Sequence, residues 1–410
     1  MQWLSAMAVN ELATESILES DRREEGGADL AVMLTGGGAR AAYQVGLVLG
    51  IARHFPHLKF QVITGVSAGA INASFLAAQE GSLLEKAERL ADLWCGLTCD
   101  HIFRFDLTGL IPFRSAIASI LPRHRFTWTR PRGLVDTTPL RRLLRKVTNS
   151  RDRGPIDGIK RNLRNGELKA VALTTLDYST GQTVRWVQGR TADVFEGPNR
   201  RSVVGELTLD HVMASAALPF VFPAVRIGNE WHGDGGIRLA APLSAPVHLG
   251  ATRIVAMSTG YQRTPEEALH PVVQGYPPAA QIISQLVNAV FLDVIDEDVA
   301  RMQRMNEMIR KMPPGERNGF RPIDLCVLRP TTDLGVLAAE YEKYLPRKIK
   351  FITRALGAKE TESPDFVSLL MFEPHYMKKL IELGAADIEN RLDELRAFFA
   401  PDPREFITAV

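Results

Sequence analysis

Residues 30–40 read LAVMLTGGGAR, and residues 60–69 read FQVITGVSAG. In both stretches a short apolar run ends at glycine, and a helical pattern follows over residues 41–54 and 70–79 respectively. A strand, a glycine turn and a helix in immediate repetition are typical of a domain in which helices cover a parallel sheet. The sequence therefore predicts an α/β fold.

Further strands and helices are predicted along the rest of the chain. Apolar and β-branched runs predict strands over residues 168–176, 183–187, 225–231, 253–258 and 323–328. The first two of these flank a turn at 178–181, and the third is bent at Gly228-Asn229. Beyond about residue 260 the pattern is mostly helical, over residues 279–312 and 374–399.

These patterns divide the chain into three parts. Residues 1–28 carry charge and only a weak helical pattern, which indicates a loosely attached N-terminal extension. Residues 29–260 hold the α/β pattern and form the core domain. Residues 261–410 are mainly helical, and they form either a cap on the same domain or a small second domain.

The first glycine turn, at residues 35–40, fits more than one chemistry. Glycines between a strand and a helix let the backbone approach a ligand closely and leave N–H groups pointing outward. A phosphate-binding P-loop ends in Gly-Lys-Ser/Thr, which this turn lacks. A dinucleotide-binding fold needs an acidic residue at the end of the next strand, where this chain has residues 64–67, TGVS. An oxyanion hole and a plain packing turn both remain open.

The second turn, Gly65-Val66-Ser67-Ala68-Gly69, matches the pattern G-x-S-x-G. In that motif the serine occupies a sharp turn between a strand and a helix, and small flanking residues avoid clashes around the bend. The strand-like residues before this turn and the helix-like residues after it supply the required context. Ser67 is therefore a candidate nucleophile of a serine acyl hydrolase.

A serine hydroxyl needs a base that takes its proton. Histidine is the usual partner, but His248, His270 and His375 do not lie in glycine-rich or otherwise distinctive loops. Asp234 does, within residues 232–236, HGDGG, directly after a predicted strand. A tight turn in which the aspartate bonds its own backbone is the structural alternative. Asp234 is the better candidate for the base.

Four ordered segments resemble the patatin-like phospholipase family in its bacterial, cytosolic form. They read GGGAR, GVSAG, ASAALP and DGG, at residues 36–40, 65–69, 214–219 and 234–236. Together they cover roughly residues 29–260. The resemblance implies a three-layer α/β/α fold with a central, mostly parallel sheet, here with additional C-terminal helices. It also implies hydrolysis of lipid acyl esters by a Ser–Asp dyad, without a catalytic histidine.

The resemblance assigns roles to individual residues. Ser67 is the nucleophile, Asp234 is its base, the N–H groups of Gly37 and Gly38 form the oxyanion hole, and Arg40 supports that loop. The predicted site comprises the dyad, the oxyanion loop, the two elbow glycines and the aspartate turn: Ser67, Asp234, Gly36, Gly37, Gly38, Ala39, Arg40, Gly65, Gly69, Gly235 and Gly236. Neither a metal nor a cofactor is expected. Burial of Asp234 is expected to raise its pKa from an ordinary value near ~4, and His232 is a candidate for tuning it.

The expected substrate is a phospholipid, a lysophospholipid or another acyl-ester lipid. Residues 102–132 interleave aromatic, aliphatic and arginine side chains. That pattern fits an anionic membrane surface or a lid over an acyl groove, and it fits equally a buried cap helix with basic solvent-facing residues. No apolar run is long enough to cross a membrane and no signal peptide is evident, so we expect a cytoplasmic protein with peripheral membrane contact. The net charge of +2 gives no case for nucleic-acid binding.

Three other functions fit parts of the sequence less well. A histidine-dependent α/β-hydrolase esterase would need a histidine loop that is not evident. A catalytically idle lipid-binding protein on the same fold would not need the serine, the aspartate and the glycine turn all intact. A nucleotide-binding protein would need the missing acidic residue.

Overall fold

A mixed β-sheet passes through the centre of the structure. The computed structural model describes residues 29–105, 133–189, 196–219, 221–269, 276, 279–292, 294–346, 350 and 365–400. Its strands are, in chain order, β1 (Leu30–Leu34), β2 (Val62–Val66), β3 (Arg104–Phe105), β4 (Val135–Asp136), β5 (Ala170–Asp177), β6 (Thr183–Gly189), β7 (Glu196–Gly197), β8 (Arg200–Val204), β9 (Val225–Ile227), β10 (Glu230–Asp234), β11 (Arg253–Met257) and β12 (Asp324–Leu328).

Helices occupy much of the remaining described chain. They are α1 (Ala41–His54), α2 (Ala68–Ala78), α3 (Leu83–Cys95), α4 (Cys99–Ile102), α5 (Thr138–Thr148), α6 (Asp157–Arg164), α7 (Leu209–Ser215), α8 (Ser244–His248), α9 (Pro265–Ala268), α10 (Ala279–Val287), α11 (Val294–Lys311), α12 (Leu334–Tyr341), α13 (Asp365–Leu369), α14 (Pro374–Asn390) and α15 (Leu392–Phe399). Short 3-10 turns lie at Gly38–Arg40, Gly235–Arg238, Pro314–Glu316 and Glu342–Tyr344, and a π-helical segment lies at Asn288–Leu292. Within the described ranges, no helix combines the length and the apolar character needed to cross a bilayer.

The principal sheet is mostly parallel. Its strands run in the order β12-β11-β1-β2-β5-β6-β8-β7. The pairings from β12 through β5 are parallel, whereas β5 and β6 form an antiparallel hairpin. Every residue of β1, β2 and β5 is buried, as expected for parallel strands with helices on both faces.

Helices cover both faces of the sheet. Successive side chains of β1 point to opposite faces of the sheet. Leu30, Val32 and Leu34 belong to the apolar cluster on one face, and Ala31 and Met33 belong to the cluster on the other. The first cluster includes residues of α1, α2, α3 and α14, and the second includes residues of α11. The α/β fold with its central, mostly parallel sheet is confirmed.

Residues beyond 260 join this same sheet and core. β12 pairs in parallel with β11, so that Asp324 lies opposite Arg253. Helix α14 packs on α1 so closely that a Cβ atom on Gly384 would lie 2.3 Å from the carbonyl oxygen of Tyr43. A Cβ atom on Gly46 would likewise lie 2.2 Å from the carbonyl oxygen of Ile381. Glycines at the crossing therefore let the two helices meet at their backbones.

The edge of β5 brings two distant segments together. Strand β2 follows this edge as far as Val66, which lies opposite Thr174. Beyond that point β10 pairs with the same edge of β5, with Asp234 opposite Thr175. The residue after Val66 and the last residue of β10 thereby become neighbours, although 167 positions separate them.

Two predicted elements differ in detail. Residues 225–231, predicted as a strand bent at Gly228-Asn229, form the separate strands β9 and β10, because the bend is a complete turn and the chain returns antiparallel. The helical pattern over 279–312 is divided into α10 and α11 by the π-helical segment at Asn288–Leu292.

Candidate active site

Ser67 occupies the sharp turn between β2 and α2. Its φ of 56° and ψ of −130° lie in a backbone region that non-glycine residues rarely adopt. Gly65 and Gly69 allow the close packing around this turn. A Cβ atom on Gly69 would lie 2.3 Å from the carbonyl oxygen of Leu34, and one on Gly65 would lie 2.5 Å from that of Gly69.

The side chains of Ser67 and Asp234 meet directly. Ser67 Oγ donates a hydrogen bond to Asp234 Oδ2 at 2.6 Å, and Asp234 Oδ1 accepts one from the N–H of Gly236 at 2.8 Å. Both side chains are buried, with Asp234 fully so. Gly235 packs against the backbone of β5, where a Cβ atom would lie 2.2 Å from the carbonyl oxygen of Thr174.

Burial raises the pKa of Asp234 to about 7, because a charged carboxylate loses its hydration there. The hydrogen bonds from Ser67 and from the Gly236 N–H act in the opposite direction and lower that pKa. The pKa is therefore close to neutral pH, where a general base works best.

Two glycines of the first turn have positive φ angles. Gly37 has φ of 147° and Gly38 has φ of 54°. A Cβ atom on Gly37 would lie 2.2 Å from Thr259 Oγ1, and one on Gly38 would lie 2.2 Å from the carbonyl oxygen of Leu369. Both glycines line the same pocket as Ser67. Within the described residues no acceptor is hydrogen-bonded to the N–H groups of Gly37 and Gly38.

Buried hydrogen bonds fix the backbone of the glycine turn at residues 35–40. Gln44 Nε2, on α1, donates to the carbonyl oxygen of Thr35 at 2.9 Å and to that of Met257 at 3.1 Å. Thr259 Oγ1 donates to the carbonyl oxygen of Gly36 at 2.6 Å. The glycine turn is thus fixed to α1 and to the end of β11.

Arg40 does not point toward solvent. Its side chain is buried, its Nε donates to Ser368 Oγ at 2.5 Å, and its Nη2 forms an ion pair with Asp365. Asp365 also accepts a hydrogen bond from Asn288 Nδ2 at 2.7 Å. The neighbouring Ala39 is fully buried. No motif in the sequence identifies Asp365 or Ser368, and only the folded chain brings them to Arg40.

Ser215 supports the turn at Ser67 from the other side. Its Oγ accepts a hydrogen bond from the Ser67 N–H at 3.0 Å and donates one to the carbonyl oxygen of Thr174 at 2.7 Å. Ser215 is fully buried. It lies in the segment ASAALP that carries part of the family resemblance, which is the one sequence signal that points to it.

The pocket that reaches Ser67 is almost wholly apolar. Its volume is about 760 Å³, part of which is open to solvent. The apolar walls come from α2, α3, α4, α5, the segment after α7 and the α13 region: Ile71, Leu93, Trp94, Leu97, Ile102, Leu140, Leu143, Leu144, Val147, Leu218, Phe222, Leu369, Leu370 and Phe372. Phe291, in the π-helical segment, also lines the pocket, and its ring lies 2.5 Å from where a Cβ atom on Gly236 would be.

The histidines considered as bases lie elsewhere. His248 ends α8, and His375 Nδ1 hydrogen-bonds to Glu373 while its ring stacks on Tyr344. His270 lies outside the described residues. His232 is buried, and its Nδ1 hydrogen-bonds to Thr175 Oγ1 at 3.1 Å. It is not among the groups that shift the pKa of Asp234.

One group of side chains in the described ranges has the composition of a metal site. The ligand atoms of Asp177, Glu230 and His232 lie within 4.8 Å of one another. Arg201 forms ion pairs with both carboxylates. Its Nη2 lies 2.6 Å from Glu230 Oε2 and 3.5 Å from Asp177 Oδ2. A guanidinium in this position balances the carboxylate charge that would otherwise attract a cation.

Most of the segment 102–132 lies outside the described residues. The part that is described, before residue 106, includes Ile102 and Phe103, which are buried, and β3, which pairs with β4. The expected membrane or lid contact of this segment remains a prediction.

Comparisons with known proteins identify a family and several distant structures. A sequence profile described as patatin-like phospholipase matches residues 32–247. VipD from Legionella pneumophila is similar in structure at 12% identity, with a TM-score of 0.34, over 90% of this chain and 67% of that chain. Human GIVD cytosolic phospholipase A2 in complex with methyl gamma-linolenyl fluorophosphonate has 10% identity and a TM-score of 0.38, over 90% of this chain and 58% of that chain. The ExoU–SpcU complex from the type III secretion system of Pseudomonas aeruginosa has 16% identity and a TM-score of 0.29, over 91% of this chain and 77% of that chain. No curated protein matches significantly.

Proposed function

The chain belongs to the patatin-like phospholipase family, and on that basis we propose that it hydrolyses acyl esters of lipids with Ser67 as nucleophile and Asp234 as base. Membership in this family implies a lipid ester hydrolase. The observation that carries the residue assignment is the hydrogen bond of 2.6 Å from Ser67 Oγ to Asp234 Oδ2 at the end of an apolar pocket.

The first half of the proposed reaction forms an acyl-enzyme. Ser67 Oγ attacks the carbonyl carbon of the ester while its proton passes to Asp234 Oδ2. The carbonyl oxygen becomes an oxyanion, which accepts hydrogen bonds from the N–H groups of Gly37 and Gly38. The positive end of α2, directly behind Ser67, favours the same charge. The intermediate collapses, and the leaving alcohol takes the proton from Asp234.

The second half releases the acyl group. Water attacks the acyl carbon of Ser67 while Asp234 accepts a proton from that water. The tetrahedral intermediate then collapses, a fatty acid leaves, and the proton returns from Asp234 to Ser67 Oγ. Asp234 accepts and returns the proton in both halves of this scheme, so no further acid or base is required.

The surroundings of Asp234 explain how a carboxylate serves as the base. An exposed aspartate, with a pKa of about 4, accepts a proton from serine too weakly to help at neutral pH. A pKa of about 7 leaves a large part of Asp234 ionised at neutral pH and makes it a stronger base when it is. Histidine is therefore not needed.

The pocket supports a long acyl chain as the part of the substrate that is recognised. Its aliphatic and aromatic walls bury a hydrocarbon chain favourably, at about 25 cal/mol per Å² of apolar surface. Phospholipids, lysophospholipids and related lipid esters all present such a chain. We place this activity in the cytoplasm, with peripheral contact at a membrane surface where these lipids reside.

Variants of the two residues test this function. Ser67→Ala is expected to lose activity at least about 10⁴-fold, and Asp234→Asn about 10³-fold or more, because each removes a partner in the same proton transfer. Release of fatty acid from phosphatidylcholine vesicles and turnover of a short-chain aryl ester provide the two assays. Ser150→Ala and Asp298→Asn are matched controls, since both residues are buried and hydrogen-bonded outside the site.

Labelling by a fluorophosphonate adds a direct readout of the nucleophile. Wild type and both controls should become labelled, and Ser67→Ala should not. Undiminished ester turnover by Ser67→Ala would refute the proposed nucleophile. An active Asp234→Asn, together with loss of activity on substitution of His248, His270 or His375, would instead favour a histidine-dependent esterase.

A further inference from the structure

A second cavity lies apart from the apolar pocket that reaches Ser67, which we call the acyl pocket, and its walls are polar and positively charged. Its volume is about 950 Å³, part of which is open to solvent, and none of its lining residues lines the acyl pocket. Four of those residues are arginines and none is acidic: Arg185, Arg200, Arg201 and Arg238. The polar residues Thr183, Asn199, Ser202 and Ser244 complete much of the wall.

The sheet itself builds the floor of this arginine cavity, as we call it. Thr174 lies opposite Arg185, which in turn lies opposite Ser202, so one row of residues crosses β5, β6 and β8. Thr183 lies opposite Arg200 in the next row on the same face. Because hydrogen-bonded neighbours share a face, these positions project to one side. Residues 238–241 and Ser244 also line the cavity.

Local hydrogen bonds hold two of the guanidinium groups at the cavity wall. Arg185 Nη2 donates to Ser244 Oγ at 2.8 Å. Arg238 Nη1 donates to the carbonyl oxygen of Gly181 at 2.6 Å, and its Nη2 donates to Asn199 Oδ1 at 2.9 Å. These partners are neutral, so they orient the side chains without balancing their charge.

The positive charge of the arginine cavity is only partly compensated. Arg201 is paired with Glu230, and Arg200 interacts electrostatically with Asp298. Among the described residues neither Arg185 nor Arg238 forms an ion pair. Burial and the nearby positive charge of Arg200 lower the pKa of Arg185 to about 10. A guanidinium that is largely removed from water beside another positive charge, without a carboxylate partner, is stabilised when an anion joins it.

We propose that the arginine cavity binds a phosphate group through Arg185 and Arg238. The planar fork of a guanidinium donates two parallel hydrogen bonds to phosphate oxygens, and a dianionic phosphate balances two such groups. A soluble phosphate ester and the phosphate of an anionic lipid headgroup present the same chemistry. This site is separate from the proposed ester hydrolysis and does not depend on it.

Calorimetry and vesicle flotation test the proposal on the full chain. Inorganic phosphate, pyrophosphate and glycerol 3-phosphate are the soluble probes, and phosphatidylcholine vesicles with or without phosphatidic acid are the lipid probes. Wild type is expected to bind at least one of these, more weakly as the salt concentration rises. Arg185→Gln and Arg238→Gln should each weaken that binding at least about tenfold. Binding of soluble probes alone identifies a free phosphate ester, and binding of phosphatidic acid vesicles alone identifies a lipid headgroup.

A matched arginine separates the cavity from general surface charge. Arg226 is exposed on β9, and within the described part of the chain its side chain hydrogen-bonds to Gly228 and Asn229 alone, so Arg226→Gln makes the same change in net charge outside the cavity. It should bind like wild type. Arg238 is exposed, so Arg238→Gln keeps the test valid if Arg185→Gln does not fold. Absence of binding in wild type, or equal weakening by Arg226→Gln, would overturn the proposal.

Discussion

The backbone of Ser67 is in an unfavourable conformation, which contacts with the surrounding residues must stabilise. A non-glycine residue in a sparsely populated region of φ and ψ costs about 1–3 kcal/mol. Here the Ser67 N–H is fixed to Ser215 Oγ, which is itself fixed to the carbonyl oxygen of Thr174 on β5. This chain of two buried hydrogen bonds keeps Ser67 Oγ within reach of Asp234. The strained backbone at Ser67 is therefore connected by hydrogen bonds to β5 in the central sheet.

The pKa of Asp234 predicts the pH dependence of the reaction. As the proposed base, Asp234 works only when ionised, so kcat/KM should fall as the pH drops below the pKa of Asp234 in the free enzyme, about 7. Well below that pH the decrease approaches tenfold per pH unit. Hydrolysis of a water-soluble aryl ester from about pH 4.5 to 9 measures it without changing a vesicle surface. An acid limb near ~4, the value of an exposed aspartate, would contradict the buried carboxylate as base.

At the scale of elements, α13 connects the glycine turn at residues 35–40 to the π-helical segment at Asn288–Leu292. Asp365 accepts from Arg40 in the glycine turn and from Asn288 in the π-helical segment, while the carbonyl oxygen of Leu369 lies against Gly38. Phe291, three residues after Asn288, packs against Gly236. One buried carboxylate thus links both walls of the site. The C-terminal third of the chain takes part in its geometry through this contact.

Removal of that carboxylate should impair both stability and catalysis. Asp365→Asn leaves the buried charge of Arg40 without its ionic partner, which typically costs about 3–5 kcal/mol. We expect a lower free energy of unfolding and a kcat reduced at least about tenfold, with KM little changed. The N–H groups of Gly37 and Gly38, the proposed oxyanion donors, would move, whereas the walls of the acyl pocket would remain. Chemical denaturation and ester kinetics measure these effects. Asp387→Asn, which alters a buried carboxylate bonded to Tyr43 and Thr331, is the control.

A double variant separates positioning from mere support of the fold. Arg40→Met combined with Asp365→Leu replaces the ion pair by apolar side chains, so it should recover much of the stability lost in Asp365→Asn. Its kcat should remain low, because the glycine turn no longer has the ion pair and hydrogen bonds of Arg40 that fix its position. Recovery of kcat together with stability would mean that the ion pair supports the fold only.

Local patterns predicted the elements well, and they predicted long-range contacts poorly. Strand β1 and helix α1 begin and end where the apolar run and the helical periodicity do. The ion pair between Arg40 and Asp365 joins residues 325 positions apart, and nothing in the neighbourhood of Asp365 distinguishes it from a surface aspartate. Periodicity reports which face of an element is buried, and it contains no information about which distant residue will meet that face.

For the molecule as a whole, the position of Asp234 depends on how strands share the edge of β5. The glycines around Asp234 indicated a special turn, and the resemblance paired it with Ser67. Ser67 and Asp234 meet because β2 pairs with β5 as far as Val66 and β10 pairs with the next residue of the same edge. This arrangement depends on the register of both strand pairings. Register follows from the packing of the complete sheet, so no local pattern could have predicted it. Likewise, the strand predicted at 323–328 carried no sign that it would extend the sheet beyond β11.

The burial of Asp234 also affects the stability of the whole fold. The pKa of Asp234 is raised from an ordinary 3.8 to about 7 in the folded protein, so the folded state binds this proton more tightly than the unfolded state. Its contribution to stability is full below about pH 4 and is lost as the pH rises through 7. Above pH 7 the buried carboxylate destabilises the fold by on the order of 4 kcal/mol relative to a neutral side chain of the same shape. Asp234→Asn should therefore gain stability over wild type progressively between about pH 4 and 7, and chemical denaturation at several pH values measures this difference. A difference that stays constant over this range would show that Asp234 is not desolvated as the fold implies.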